Sequence, residues 1–251
     1  MQYDEHKLVE YFADAPAGVG FSDLDLNNIP HHISCIMDGN GRWAKKRGLP
    51  RSAGHKAGAE VFRTISKACG RIGIPYVTFY AFSTENWKRS PEEVDALMRL
   101  FKDYLLEAQA DISQAGNIRL KFIGSREGIS DELLQLMDQG ERDTAANTGT
   151  TVYVAINYGG RQEIVQAVNR SLQSGKREIT MDDISANVYT VPDCDLVIRP
   201  SGEQRLSNFL LWQAAYSEFW YSDVLWPDFT EQDLAEALHA YENRNRRFGG
   251  R

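Results

Sequence analysis

Residues 32–44 read HISCIMDGNGRWA, and they carry the clearest indication of the chain's architecture. The first half of this stretch is a mostly apolar run, which is typical of a strand that is buried on both faces. Its second half supplies a carboxylate, two glycines and an arginine, the composition of a tight turn from a strand into a helix. A buried strand followed by such a turn indicates the parallel sheet of an α/β protein.

The same strand composition recurs along the chain. Five segments are rich in β-branched and aromatic residues and mostly lack polar alternation: 32–37, 76–82, 118–123, 151–156 and 195–198. Helical patterns alternate with them at 91–106, 163–174 and 231–241. This order predicts a single α/β domain, with a mostly parallel central sheet flanked by helices on both faces.

The composition of the 251-residue chain limits its class. It is 42% hydrophobic and 25% charged, which fits one globular domain with a sizeable core. Residues 1–30 have the composition of a polar leader, so we expect the functional domain to span 31–251. The net charge of −7 argues against a nucleic-acid partner.

Cysteines and hydropathy indicate the compartment. The three cysteines have no C-x-x-C spacing, which argues against a zinc site or a disulfide framework and suits reducing conditions. No apolar run approaches the ~18 to 20 residues of a membrane span, and the first residues do not resemble a signal peptide. We therefore expect a cytoplasmic protein.

Polar segments that contain glycine or arginine follow most of the predicted strands. They are 38–42 (DGNGR), 83–87 (STENW), 157–161 (NYGGR) and 199–205 (RPSGEQR). Because ligands of parallel sheets bind outside the carboxyl ends of the strands, these segments should meet at one edge. We expect that edge to bind an anion.

The segment 37–44 carries the strongest signal. Its glycines bring backbone N–H groups close to a ligand at the start of a helix, which favours phosphate oxygens. Arg42 can bind phosphate through two N–H groups, and Asp38 can hold Mg²⁺ together with substrate phosphates. The alternative is a tight turn in which Asp38 only caps the helix, and an isolated D-G-N-G does not decide between the two.

Two basic groups lie further along the chain. Arg51 and His55 are four residues apart and suit a phosphate contact, although a solvated basic face explains them better when they are considered alone. Arg199, Arg205 and Ser207 surround a glycine after a strand, and this arrangement suits a diphosphate cradle.

Two more segments each have a functional and a structural interpretation. Loop 82–89 (FSTENWKR) could close over a substrate, or it could serve only to anchor Trp87 in the core and cap a helix at Ser90. Glu218 lies in an aromatic run, where a carboxylate is costly to bury unless it is paired or bound to a metal. It is therefore either a Mg²⁺ ligand or half of a buried Glu–Arg pair.

Together these segments resemble the cis-prenyltransferase family, and within it the bacterial undecaprenyl diphosphate synthases. The resemblance runs from about His32 to the C-terminus and rests on HISCIMDGNGRWA, R-x-x-G-H, F-S-T-E-N-W-x-R, the 157–161 turn and R-x-S-G-E-x-R-L-S-N-F. It implies a Mg²⁺-dependent enzyme that condenses isopentenyl diphosphate sequentially onto an allylic diphosphate, such as farnesyl diphosphate. The expected product is a long-chain cis-polyprenyl diphosphate, with undecaprenyl diphosphate for the cell-wall lipid carrier as the leading case.

The resemblance also implies roles for individual residues. Asp38 and Asn86 would be catalytic, and Asp38 with Glu218 would bind Mg²⁺. A neutral amide is a poor base, so our hypothesis is that Asn86 orients isopentenyl diphosphate while a phosphate oxygen or Asp38 accepts the proton. The implied substrate-binding residues are Gly39, Asn40, Gly41, Arg42, Trp43, Arg51, His55, Ser83, Thr84, Glu85, Trp87, Arg89, Arg199, Arg205, Leu206 and Ser207.

The resemblance extends to partners and to the prenyl chain. It implies a homodimer completed by the tail 247–249 (RFG), a transient membrane-surface contact for product release, and an apolar tunnel between sheet and helices. Helix 91–106 is either a wall of that tunnel or ordinary core. Pro200, which lacks an N–H beside the phosphate site, and Gln204, which we do not count as a ligand, depart from the family pattern.

Other functions are open at this point. A synthase of shorter chains and a non-catalytic partner subunit of the same family are the alternatives within the resemblance. Another phosphate-handling α/β enzyme is less well supported, because the chain has no G-x-x-x-x-G-K-[ST] and no G-x-G-x-x-G after a strand. The D-D-x-x-D of trans-type synthases is also missing from the sequence.

Overall fold

A computed structural model describes residues 20–112, 117–189 and 192–246. Most of the predicted leader and the tail 247–249 lie outside these residues, so the predictions made for them are not addressed. Within the described ranges the chain forms one sheet with helices packed on it, as the alternation of strand and helix patterns predicted.

The sheet has six strands, all parallel, in the order β3-β4-β2-β1-β5-β6. The strands are β1 (His32–Ile36), β2 (Tyr76–Ser83), β3 (Arg119–Ile123), β4 (Thr151–Tyr158), β5 (Leu196–Arg199) and β6 (Glu218–Tyr221). The five predicted strands are confirmed within two residues at each end. The sixth, β6, was missed because it is a four-residue edge strand, half-buried at every position, and its three aromatic residues make too short a run to be told from a loop.

Helices cover both faces of the sheet. They are α1 (Asn40–Lys46), α2 (Arg51–Ile72), α3 (Pro91–Ile112), α4 (Asp131–Asp143), α5 (Gly160–Gln173), α6 (Met181–Ser185) and α7 (Glu231–Glu242), with short 3₁₀ turns at Gly20–Asp23, Thr84–Lys88 and Trp226–Asp228. The predictions at 91–106, 163–174 and 231–241 are confirmed, whereas the extents of α1 and α2, and the helices α4 and α6, were not predicted. None of the helices in the described ranges is both long and apolar enough to cross a bilayer.

Strand β1 organises the chain around it. All five of its residues are buried, and its neighbours are β2 on one side and β5 on the other. In the register, Cys35 pairs with Ile198 and Ile36 with Tyr80, so these three strands end close together. The polar segments that follow them therefore start from one edge of the sheet, as the sequence predicted.

Helix α1 begins in the glycine-rich turn that follows β1 at that edge, and it packs closely on α2. A Cβ atom added to Gly54 would lie 2.0 Å from the Asn40 carbonyl oxygen, and one added to Gly58 would lie 2.4 Å from Asn40 Oδ1. Only glycine allows this approach of the two backbones. The R-x-x-G-H segment thus fixes the position of the turn that follows β1.

Gly54→Ala should destabilise the protein by about 1–3 kcal/mol, because the new methyl group would overlap the Asn40 carbonyl. Gly70→Ala is the matched control in the same helix, since its Cβ would have only ordinary contacts from 3.7 Å outward. This control should be neutral or stabilising by up to about 1 kcal/mol, because alanine favours helix over glycine. Urea unfolding monitored by circular dichroism measures both, and equal effects would contradict the assigned contact.

Candidate active site

An ion pair between Asp38 and Arg199 lies at the centre of the sheet edge. Arg199 Nη2 donates to Asp38 Oδ2 at 2.9 Å, and the Arg199 side chain is only 4% exposed. Burial alone would raise the pKa of Asp38, but the hydrogen bond and charge of Arg199, together with Arg42, lower it below its usual value. Asp38 is therefore an anion held between two cations, and the interpretation as a helix cap does not describe it.

Arg42 joins this pair to the segment after β5. Its Nη2 lies 3.3 Å from Asp38 Oδ1, and the guanidinium also donates to the Ser201 carbonyl at 2.9 Å and the Ser201 hydroxyl at 2.7 Å. Glu203 lies 3.6 Å from Arg42 and also accepts from Arg205. Arg205 is thus held at the rim, with most of its side chain in solvent.

The loop after β5 has an unusual backbone. Ser201, Ser207, Asn208 and Leu210 all have positive φ, which costs non-glycine residues of order 1–3 kcal/mol each. Arg199 supports the loop by donating to the Arg205 carbonyl and, at 2.8 Å, to the Ser207 hydroxyl. Such strain is typical of functional segments, and here it presents Ser207 and Asn208 to the sheet edge.

A second basic group lies where α2 begins. Glu93 on α3 accepts from Arg89 at 2.7 Å and lies 3.3 Å from Arg51 Nε, so one carboxylate holds two arginines together. His55 lies beside them, and burial with the nearby charges of Arg51 and Arg89 lowers its pKa to about 4. The interpretation of Arg51 and His55 as a merely solvated face therefore does not fit His55, which is mostly buried.

The segment after β2 forms a 3₁₀ turn. Asn86 Oδ1 accepts from the Ser83 N–H at 3.1 Å, and Trp87 Nε1 donates to Asn157 Oδ1 at 2.7 Å. Glu85 accepts from Asn208 at 2.9 Å, which joins this turn to the loop after β5. Ser90 accepts from the Glu93 N–H at 3.3 Å and so caps α3, as the structural alternative for this loop predicted.

These elements enclose a polar cleft, and the structure brings most of the predicted site residues to its wall. The predicted residues that line it are Asp38, Gly39, Asn40, Gly41, Arg51, His55, Ser83, Glu85, Asn86, Arg89, Arg199 and Ser207. Tyr80 and Asn208 also line it and were missed. A tyrosine inside an apolar strand resembles core, and only its hydroxyl, 3.4 Å from the Ser207 carbonyl, shows its place here.

Other predicted residues lie at the rim or away from the cleft. Arg42 and Arg205 are at the rim, as described above, and Thr84, Trp87 and Leu206 are near the cleft without lining it. Trp43 faces the other way, with Nε1 donating to Asp228 at 2.6 Å and its ring against Arg47. Trp43 is therefore a support for α1 in this structure.

The structure does not bring Glu218 to Asp38 within one chain. Glu218 begins β6 and pairs in register with Leu196, at the opposite end of β5 from Arg199. Its carboxylate accepts from Arg244 at 2.6 Å, the Glu–Arg pair that was its structural alternative, although it is only partly buried. Within the described residues there is no cluster of three or more metal-binding side chains.

Pro200 does not disturb the cleft. The N–H groups that follow it, of Ser201 and Gly202, donate to the carbonyls of Val224 and Ser222 at 2.7 and 2.8 Å. The backbone donors of this turn thus face the chain beyond β6, and the contacts to the cleft come from side chains.

An apolar cavity adjoins the cleft. It lies between the sheet and helices α2 and α3, and its walls include Phe62, Leu100, Phe101, Leu105, Leu120 and Val154. Five residues belong to the walls of both spaces and are called the throat: Met37, Asn40, His55, Ala81 and Leu97. The polar cleft and the apolar cavity are therefore neighbours that share part of their walls.

Three buried polar atoms around the cleft have no hydrogen-bond partner within the described part of the chain. They are Asn40 Oδ1, His55 Nε2 and Arg199 Nε. A buried polar group without a partner is costly, so such groups at a cleft indicate a ligand or ordered water. Arg199 Nε is a donor and suits an anionic ligand, as does His55 Nε2 when it carries the ring proton.

Comparison with known families identifies a match over most of the chain. The prenyltransferase model described as "Putative undecaprenyl diphosphate synthase" matches residues 36–249. The isoprenyl transferase of Clostridium tetani is 51% identical over 239 residues, which cover 90% of this chain and 92% of that protein. That of Chromobacterium violaceum is 52% identical over 222 residues, covering 88% of each.

Solved structures agree with these matches. Lavandulyl diphosphate synthase from Lavandula x intermedia, in complex with dimethylallyl diphosphate, superposes with a TM-score of 0.85 at 35% identity, covering 89% of this chain and 99% of that one. The "probable undecaprenyl diphosphate synthase" of Campylobacter jejuni gives a TM-score of 0.77 at 31% identity, covering 88% and 99%.

Three histidines, His32, His55 and His239, should titrate away from the ordinary histidine range. Burial lowers the pKa of His55 to about 4, and that of His32, buried in β1, also to about 4, whereas the Glu242 carboxylate raises the pKa of His239. Between pH 4 and about 6.5 the folded protein therefore binds fewer protons at His55 and His32 than the unfolded chain, and these two sites make stability rise with pH there. Side-chain NMR titration measures each midpoint. A His55 midpoint in the ordinary range would show that the cleft is more hydrated than described.

Proposed function

Because this chain belongs to the undecaprenyl diphosphate synthase family of prenyltransferases, we propose that it condenses isopentenyl diphosphate repeatedly onto an allylic diphosphate to form a long-chain cis-polyprenyl diphosphate. The proposed primer is farnesyl diphosphate and the proposed product undecaprenyl diphosphate. A homodimer, a cytoplasmic location and a role in supplying the cell-wall lipid carrier are parts of the same proposal.

One observation carries this proposal: an arginine-rich cleft and an apolar cavity adjoin each other and share the throat. A prenyl diphosphate has the matching two parts, a charged head and an apolar chain. A nucleotide-handling enzyme would not need an apolar cavity beside its phosphate site. The dimethylallyl diphosphate bound to the lavender enzyme is an allylic diphosphate, which supports the same class of substrate here.

The allylic diphosphate is assigned to the turn after β1. The N–H groups at the start of α1, with Arg42, Arg51 and His55, offer donors to its phosphate oxygens. The unpartnered His55 Nε2 at the throat fits this role, because there it can meet the last phosphate oxygen before the chain enters the cavity. Trp43 would contribute only indirectly, by holding α1 in place through its hydrogen bond to Asp228.

Isopentenyl diphosphate is assigned to the segment after β5. Arg199 and Ser207 line the cleft, Arg205 lies at its rim, and Leu206 lies between them in the chain. The turn 83–89 closes the other side, with Asn86 directed into the cleft and Arg89 held by Glu93. The two substrates would thus meet between Asp38 and Asn86.

The residues fit a hard divalent cation that is held mainly by substrate. Asp38 is a partly exposed carboxylate on the cleft wall, and Mg²⁺ commonly takes one or two carboxylates together with substrate phosphates. When bound, Mg²⁺ would neutralise charge on the departing diphosphate. We propose Asp38 as its ligand, with Glu218 contributing only if a second chain brings it near.

The chemistry assigned to the protein is charge stabilisation and positioning. The bond between C1 and the allylic diphosphate oxygen breaks, the isopentenyl double bond attacks C1, and a proton leaves C2 of the isopentenyl unit to form the new cis double bond. Arginines stabilise the charge on the leaving group, which is usually the largest catalytic contribution. Bound diphosphates hold the two carbons together.

Asn86 and Asp38 are both poor bases for the proton. The Asn86 oxygen already accepts from Ser83, which fits an orienting role. The lowered pKa of Asp38 makes it a weak acceptor as well. We therefore assign the proton to a phosphate oxygen of the substrates.

The alternative of a non-catalytic partner subunit is disfavoured. Such a subunit would be expected to lack the site residues, whereas Asp38, Arg42, Asn86 and Arg199 are all present and make the hydrogen bonds described for the cleft.

Purified protein incubated with Mg²⁺, farnesyl diphosphate and labelled isopentenyl diphosphate should yield long-chain products that EDTA abolishes. Asp38→Ala should lower turnover at least about a hundredfold, because it removes the proposed metal ligand and unpairs Arg199. Glu132→Ala is the control, because it removes an exposed carboxylate on α4 that does not line the cleft, and this variant should keep normal activity. Absence of incorporation with any allylic primer would favour the partner-subunit alternative, and products of one or two additions would favour a short-chain synthase.

Ser66→Phe should shorten the product, because Ser66 lines the apolar cavity on α2 and a phenyl ring there would occupy space proposed for the chain. Ser171→Phe is the matched control: both serines are buried and donate to the carbonyl four residues earlier, but Ser171 lies outside the cavity. The product ladder should shift only for Ser66→Phe, while the rate of the first addition stays similar. Equal shifts in both variants would mean that destabilisation, not filling of the cavity, sets chain length.

A further inference from the structure

The connection between α1 and α2 combines cations with an exposed apolar side chain. Residues 39–59 contain six Lys and Arg and no Asp or Glu, which leaves 22 Lys and Arg against 35 Asp and Glu in the rest of the chain. A strongly basic stretch in an otherwise acidic protein makes the charge distribution of the molecule asymmetric. It can orient the molecule toward an anionic surface that the rest of the protein avoids.

The cations of this stretch are of two kinds. Arg42, Arg47 and Arg51 each lie within 3.6 Å of a carboxylate oxygen, on Asp38 and Glu203, on Asp228 and on Glu93. Lys45 and Lys46 are exposed in the last turn of α1, and neither forms an ion pair with a carboxylate among the described residues. These two lysines therefore contribute charge that the fold does not neutralise locally.

An apolar side chain projects beside the two lysines. The Gly48 N–H donates to the Lys45 carbonyl and the Leu49 N–H to the Ala44 carbonyl, and Gly48 has a φ of +65°. In such helix ends the residue after the glycine usually packs back on the helix. Here Leu49 is instead 44% exposed and is followed by exposed Pro50.

We propose that Lys45, Lys46 and Leu49 form a docking surface for the anionic face of a lipid bilayer. Exposed cations and an apolar tip are the combination that binds such an interface, with the cations attracting anionic headgroups and the leucine entering below them. A few cations and one leucine give a weak, reversible contact. Its purpose rests on the proposed function, because a long prenyl product leaves water for a membrane.

The proposed docking surface is close in the chain to residues that line the cleft. Arg51, two residues after Leu49, lines the cleft, and so does Gly41 on α1. A bilayer that contacts Leu49 would therefore lie at the mouth of the cleft. Nucleic acid is disfavoured as the partner, because the stretch presents an exposed leucine and proline between its cations and no exposed aromatic side chain for base stacking.

Co-sedimentation of the full chain with vesicles tests the proposal. The protein should bind vesicles of equal parts phosphatidylglycerol and phosphatidylcholine, bind pure phosphatidylcholine weakly, and dissociate at high salt. The Lys45→Gln/Lys46→Gln variant should lower the partition coefficient about 25-fold, from roughly fivefold per lysine. Leu49→Ser should lower it about fivefold.

A control at another surface separates this site from general adhesion. Lys176→Gln/Arg177→Gln removes the same charge, and Leu172→Ser removes a leucine of similar exposure, 47%. These variants should keep wild-type binding. The proposal is overturned if the wild type does not bind anionic vesicles, if both sets lose binding equally, or if an RNA oligonucleotide binds at the lysines in place of vesicles.

The test is separate from the test of catalysis. Lys45→Gln/Lys46→Gln should leave the first condensation of soluble substrates unchanged in the absence of vesicles. A protein that binds anionic vesicles through this surface but incorporates no isopentenyl diphosphate would keep the docking surface and lose the proposed function. A protein that elongates normally but does not bind anionic vesicles would keep the proposed function and lose the docking surface.

Discussion

The ion pair between Asp38 and Arg199 is the interaction on which the rest of the site depends. It joins the ends of β1 and β5, two neighbouring strands in the interior of the sheet. A nearly buried guanidinium needs an anion or a set of oxygens around it. Arg199 obtains one from Asp38 and others from the Arg205 carbonyl and Ser207, and in doing so it fixes a loop with four strained residues. Removing the carboxylate would therefore affect geometry as well as charge.

A second constraint is the boundary between polar and apolar space. The throat residues His55, Asn40, Met37, Ala81 and Leu97 line both the polar cleft and the apolar cavity, so polar and apolar space adjoin there. Glycines on α2 set this boundary by allowing α1 to pack closely. The result suits an amphipathic ligand with one charged end. It also explains why burial and arginines together keep His55 neutral near pH 7, when the cleft holds no anion.

The sequence predicted much of this architecture because parallel sheets obey strong rules. Buried strands are read from apolar runs, and the carboxyl edge follows from topology, so most of the predicted residues lie on the cleft wall. What it could not predict depends on orientation. Trp43 points to Asp228, and Tyr80 belongs to the cleft. Glu218 lies at the far end of β5 from Arg199, and this position was not predicted because β6 was not recognised as a strand. Directions of single side chains are set by tertiary contacts, which no local pattern records.

The central claim is that one ligand spans the cleft and the cavity through the throat. A crystal structure with farnesyl thiodiphosphate, an analogue whose leaving group departs slowly, tests it directly. We expect the diphosphate to lie within hydrogen-bond distance of the Gly39–Arg42 turn and of His55 Nε2, with the farnesyl chain passing Leu97 toward Phe62 and Phe101. A diphosphate bound elsewhere, or a farnesyl chain lying outside the cavity, would contradict it.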